Sequence, residues 1–286
     1  MSVPIEPTAV VKVAPKLLSI SADRAIALAR WWLRLGAAFN VLMIAAVFAT
    51  SVIGFRQGYG SLPAFVASMV WFGVLVISVR ARRLVIDAVP LIAAGEFGLA
   101  EDRLSQSLRT FSVLRSTRLL GLQQLAMLRH SQSNWADVAK LCRELIDRQR
   151  PGERNLDLPS RLMLIEALVE LGDVGRAQYE IAAIATARLG LRETLLLTAL
   201  RLEAQVRAGQ WSEATRHLDA TLALVELMPP AVLARSHALL SLAAKRQGLA
   251  EWHQLLARRA LLLSDAKTLT NGRPFLEEAF EGVAVD

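Results

Sequence analysis

A chain of 286 residues with 53% hydrophobic and only 21% charged side chains is long enough for two modules and too apolar to be disordered. Its net charge of +7 sits in residues 1–83, which hold nine Lys/Arg against two Asp/Glu. Residues 84–286 balance at 24 of each, which excludes a folded domain that tracks nucleic-acid phosphates.

Residues 1–20, with Pro4, Pro7 and Pro15, read as a flexible tail. From Ser21 onward, Ala22, Ala25, Ile26 and Ala29 fall at helical spacing, and Ser21 is placed to cap a helix that runs on into an apolar stretch. Residues 35–55 and 59–79 each run 21 positions without a charged side chain. As helices they span about 31 Å, the thickness of a bilayer's hydrocarbon core. Arg56, Gln57 and Gly58 interrupt the apolar character, and Gly58, Gly60 and Pro63 favour a turn, so residues 21–83 read as a transmembrane hairpin. Trp31, Trp32 and Tyr59 stand where amphipathic rings sit at headgroup level. Asn40 is the polar exception and reads as a surface-near or interhelical hydrogen-bonding group. A secretory signal fits poorly, because the first run is too long and a second span follows it.

Lys16, Arg24, Arg30 and Arg34 precede the first span and Arg80, Arg82 and Arg83 follow the second, against Arg56 alone in the loop. Basic flanks are retained in the cytoplasm, so both termini are expected there.

Residues 84–265 alternate apolar segments of helical period with short breaks and show no two-residue alternation, so this part is expected to be all-α. A unit recurs. Gly95-Glu96-Phe97-Gly98-Leu99-Ala100, Ser133-Asn134-Trp135-Ala136-Asp137-Val138, Gly172-Asp173-Val174-Gly175-Arg176-Ala177 and Gly209-Gln210-Trp211-Ser212-Glu213-Ala214 begin 38, 39 and 37 residues apart. A weaker copy starts at Gly248, with its aromatic displaced to Trp252. The leading glycine can end a helix in a left-handed conformation. The large apolar residue closes the corner, and the small sixth residue lets the next helix approach. Helices are thus expected over 81–94, 99–115, 116–131, 135–149, 160–171, 175–189, 192–208, 212–228, 231–247 and 250–265, in five hairpins. Residues 150–159 form the longest loop, Pro229-Pro230 forces a break, and Pro90 suggests a kink or a late start.

These units resemble the turn of the tetratricopeptide-repeat family, as a divergent member with longer spacing and with Ser133 and Val174 at the glycine and aromatic positions. The resemblance covers roughly residues 80–265. It implies an α-solenoid whose first helices line a surface for a protein or peptide segment. On those helices lie Arg118, Gln123 and Gln124, then Arg161 and Glu166, then Arg201, Glu203 and Arg207, then Arg235 and His237, a strip of mixed sign. The repeat-turn positions Gly95, Phe97, Ala100, Trp135, Gly172, Ala177, Gly209, Trp211, Ala214 and Gly248 read as structural, and Cys142 as a small core residue. A transmembrane hairpin ahead of such repeats also resembles the layout of haem-biosynthesis-associated inner-membrane proteins, which implies a bacterial inner membrane.

No HExxH, CxxC or Gly-rich phosphate loop occurs, so neither a metal, a cofactor nor a catalytic constellation is expected. His217, His237 and His253 fall on three consecutive expected helices and carry the alternative, an enzyme or accessory enzyme factor. The reading reached is a membrane-tethered, cytoplasm-facing adaptor or scaffold with a protein or peptide partner. Residues 266–286 form an acidic tail around Phe275, Leu276 and Phe280, which either caps the array or docks in the groove of a neighbouring copy; a homo-oligomer stays open.

Overall fold

A computed structural model describes residues 20–57, 62–148, 157–185 and 187–283. The described residues hold helices and no strand. They divide into two compact units, the first ending at Ser131 and the second beginning at Gln132. The expected flexible tail, the turn at Gly58–Gly60 with Tyr59, and most of the loop over 150–159 lie outside the described residues.

In the first unit, α1 (Ala22–Gln57) starts beside Ser21, whose Oγ accepts the Arg24 amide at 3.4 Å. This is the expected cap. The second helix, α2 (Leu62–Ala93), does not stop at residue 79. Nothing in Arg80-Ala81-Arg82-Arg83 breaks a helix, and Pro90 is carried inside it with Pro90 O still accepting from Ala94 N at 2.9 Å. The helix expected over 81–94 is therefore the end of α2, and no boundary falls at residue 83. Both helices are long and apolar enough to cross a membrane, over Ala22–Val52 and Phe65–Ala93. Their apolar side chains point outward, Phe48 being 72% exposed, which is not how the core helix of a water-soluble domain behaves.

Helices α3 (Phe97–Arg109) and α4 (Arg115–Ser131) pack against α1 and α2. The loop between them enters the hairpin: Val113 N donates to Ser78 Oγ at 3.1 Å, and Phe111 meets Trp32 and Phe39 edge-on. Ser107 Oγ donates to Ala81 O at 2.8 Å. The start of α1 is tied down by Arg129, whose Nη2 donates to Ile20 O at 2.9 Å and Glu101 Oε1 at 2.6 Å. Anchor and first helical hairpin thus form one packed unit.

The second unit contains α5 (Trp135–Arg148), α6 (Asp157–Glu170), α7 (Val174–Ile184), α8 (Leu191–Arg207), α9 (Trp211–Thr215), α10 (Leu218–Val225), α11 (Pro230–Arg246), α12 (Ala250–Leu263) and α13 (Ala266–Thr270), then a 3-10 helix over Pro274–Phe280. Within it, α6 packs on α7, α8 on α9 and α10, and α11 on α12; the first helices α6, α8 and α11 also pack on one another in series. The helix expected over 212–228 is split at Arg216-His217, where no glycine or proline marks a break.

The recurring turns share one backbone geometry. Gly95, Gly172, Gly209 and Gly248 have φ between 71° and 78°, and Ser133 takes the same region at 57°. After each glycine, the next residue donates to the carbonyl five positions back: Glu96 to Leu91, Asp173 to Leu168, Gln210 to Gln205 and Leu249 to Ala244, all at 2.9 Å. These are Schellman closures, in which a left-handed residue lets the last turn satisfy its own carbonyls. The sixth residue is buried in every copy, as Ala100, Val138, Ala177, Ala214 and His253.

Candidate functional site

The residues of the expected strip divide between the two units. Arg118, Gln123 and Gln124 lie in the first unit and the other seven in the second. Arg118 is 1% exposed and is not a surface group. Its Nη1 donates to Ser107 O at 3.0 Å and Leu108 O at 2.9 Å, its Nη2 donates to Thr110 O, and its guanidinium stands over Trp32 at 5.4 Å. These carbonyls end α3, where a cation satisfies both the open acceptors and the helix dipole. Burial pulls its pKa down to about 10, which leaves it charged near neutrality. Arg118 is structural.

On α6 and α8 the side chains face two ways. Arg161 pairs with Glu180 of α7 at 2.9 Å, and Glu166, one turn on, is half-buried. Arg201 is exposed and lines a cavity of about 280 Å³ beside the break between α9 and α10, with Gln205, Arg216 and His217. Glu203 and Arg207 face the other way, and there the cluster forms.

Glu203 is 4% exposed and receives three arginines. Arg207 Nη2 donates to its Oε1 at 2.7 Å, Arg273 Nε donates to the same oxygen at 2.9 Å, and Arg235 Nη1 of α11 lies 3.7 Å from Oε2. Glu170, the last residue of α6, accepts Arg207 Nη2 at 3.2 Å and also binds Arg273 Nη2. Arg207 Nη1 donates to Val169 O at 2.8 Å, and its guanidinium covers the Phe275 ring at 5.3 Å. Burial pushes the Glu203 carboxyl up, but the charges and hydrogen bonds of Arg273 and Arg207 outweigh it and hold the pKa below the ordinary 4.5. One strip thus joins α6, α8 and α11 around an arginine and a phenylalanine from the C-terminal segment.

That segment is seated firmly. Leu276 and Ala279 are fully buried against the α11–α12 hairpin; Lys245 Nζ donates to Glu278 O at 2.7 Å and Arg246 pairs with Glu278 at 2.5 Å. The tail therefore lies on its own chain, covering the last hairpin and reaching into the strip. Glu170, Arg273 and Phe275 were not among the expected strip residues. The available signal was Arg273, a cation directly after Gly272 and just ahead of the acidic stretch Glu277–Glu281.

The three histidines do not assemble. His217 is exposed, His253 Nδ1 lies 2.8 Å from the buried Ser241 Oγ, and neither ring nitrogen of His237 has a hydrogen-bond partner among the described residues. No group of three His, Cys, Asp or Glu among the described residues is arranged to hold a metal. In the apolar hairpin, Asn40 lines a cleft of about 670 Å³ between α1 and α2 with Met43, Phe48 and Trp71, its Oδ1 buried without a partner.

Comparison with protein-family models, with curated proteins and with solved structures finds no match.

Proposed function

We propose that this chain is a membrane-tethered, cytoplasm-facing adaptor that binds a protein or peptide segment on the first helices of a divergent tetratricopeptide-like array. The observation that carries this reading is the convergence of charged side chains from α6 and α8 on a single peptide segment, the chain's own Arg273–Phe275, with Arg235 of α11 paired to the Glu203 that holds it. A surface that already seats a short segment of chain through two carboxylates and a stacked guanidinium has the chemistry of a peptide groove. The repeated turn geometry and the serial packing of first helices support the repeat-array reading.

The apolar helices α1 and α2 support insertion in a bilayer, and the basic residues Arg80, Arg82 and Arg83 favour an orientation with both termini in the cytoplasm, in a bacterial inner membrane. Tethering to a bilayer through α1 and α2 raises the effective concentration of an adaptor for membrane-held partners.

The test is site-specific photocrosslinking of the full chain in native membranes. A crosslinker at Glu166 or Arg235 is expected to capture a defined protein, whereas one at Tyr179, 73% exposed on α7, is not. Identical products from all three positions, or none from the strip, would end the adaptor reading.

A further inference from the structure

The C-terminal segment meets the strip as a ligand would. Its Arg273 is gripped by carboxylates from two different helices, Glu203 through Nε and Glu170 through Nη2, the forked geometry that guanidinium suits and ammonium does not. Two residues on, the Phe275 ring lies under the Arg207 guanidinium. Without Arg273 the strip keeps Glu170, Glu203, Arg207 and Arg235. Arg235 stands 3.7 Å from Glu203, an ion pair without a hydrogen bond. The strip thus offers a forked guanidinium a seat shared by two carboxylates, and an aromatic ring two residues on the face of a guanidinium.

The segment is joined to the array it covers by a short connection. It follows α13, a five-residue helix, and Gly272 at φ 72°. Two of its outer ties are ion pairs with one exposed and one half-buried member each, Lys245 with Glu281 and Arg246 with Glu278. Leu276 and Ala279 supply the apolar hold.

We propose that the partner segment of the adaptor carries an arginine followed two residues later by an aromatic side chain, and that residues 273–280 are a built-in competitor occupying its place. This rests on the adaptor reading above and names the chemistry of its partner. A tethered competitor acts at a millimolar-scale effective concentration, so free peptides bind weakly while partners concentrated at the same membrane displace it.

The experiment uses the full chain in detergent and a labelled peptide of the sequence of residues 271–283. The double variant Arg273→Ala, Leu276→Asp releases the tail while keeping it attached. The released chain is expected to bind the peptide at least tenfold more tightly than the intact chain. Binding should be lost with a peptide whose arginine and first phenylalanine are both alanine, and with Glu203→Lys in the array. A folded, released chain that binds no better than the intact one overturns the proposal. Should the released variant not fold, hydrogen exchange on the intact chain decides. Amides of residues 275–283 exchanging well before those of α11 support a displaceable tail, and exchange of both together means a permanent cap and overturns it. If strip crosslinks to a partner persist while these tests fail, the adaptor reading stands and only the self-occupied groove is lost.

Discussion

Glu203 of α8 and Arg273 of the C-terminal segment stand 70 residues apart in sequence, yet Nε donates to Oε1 at 2.9 Å with the carboxylate almost wholly buried. Removing one partner of such a pair leaves a desolvated charge, at a cost of about 3 kcal/mol. Glu203→Gln is therefore expected to destabilise the detergent-solubilised chain by about that much, and Glu203→Gln with Arg273→Gln by less than the sum of the single changes. The pKa of Glu203 is lowered in the folded chain, so its contribution is complete above the ordinary 4.5 and fades as pH falls below it. Thermal unfolding at pH 7 and pH 4 should show the gap between wild type and Glu203→Gln narrowing at the acid end.

Arg118 gives an independent test in the first unit. Its fork reaches three carbonyls at the end of α3 that a single ammonium cannot serve together. Arg118→Lys is expected to cost about 2 kcal/mol and Arg118→Met somewhat more, because buried carbonyls lose their donors. Equal stability of Arg118→Lys and wild type would show that the guanidinium geometry is dispensable.

The turns offer a matched pair of substitutions. Ser133 holds φ 57° with a Cβ, whereas Gly172 holds φ 78° in open space. The left-handed conformation costs a residue with a Cβ about 1 kcal/mol. Ser133→Gly is thus expected to stabilise the chain by about that amount and Gly172→Ala to destabilise it similarly, measured by chemical denaturation.

His237 is 3% exposed, and burial, then the charge of Arg259, lower its pKa from 6.5, with Glu226 opposing. Since the folded chain resists protonating it, stability is unaffected above pH 6.5 and falls as pH drops below that value, where only the unfolded chain takes the proton. His237→Leu also removes two buried nitrogens without partners. It should gain about 1 kcal/mol at pH 7 and flatten the acid-side loss. An unchanged pH profile would assign the loss to other groups.

Cys142 is buried, and desolvation pushes its thiol up to about 12. A thiol reagent at pH 8 should leave the folded chain unmodified and titrate one equivalent after denaturation, because the thiolate is the reacting form.

What the sequence determined was local. The four turn glycines, Ser133 and the Ser21 cap set helix ends to within a few residues, because a left-handed residue or a capping hydroxyl acts on its own turn. The two apolar runs were equally plain, since length without charge needs no knowledge of neighbours. Tertiary structure decided the rest. α3 and α4 pack along α2, and the break at Arg216-His217 has no local breaker. Arg118 became an interior donor because the end of α3 reaches it. Glu203, Arg207 and Arg235 draw together by the packing of α8 and α11, and Glu170 and Arg273, 103 residues apart, have no shared periodicity that would pair them. A charged side chain reads the same in sequence whether it meets water or a partner, and only the packing of α6, α8 and α11 against the C-terminal segment settled which it was.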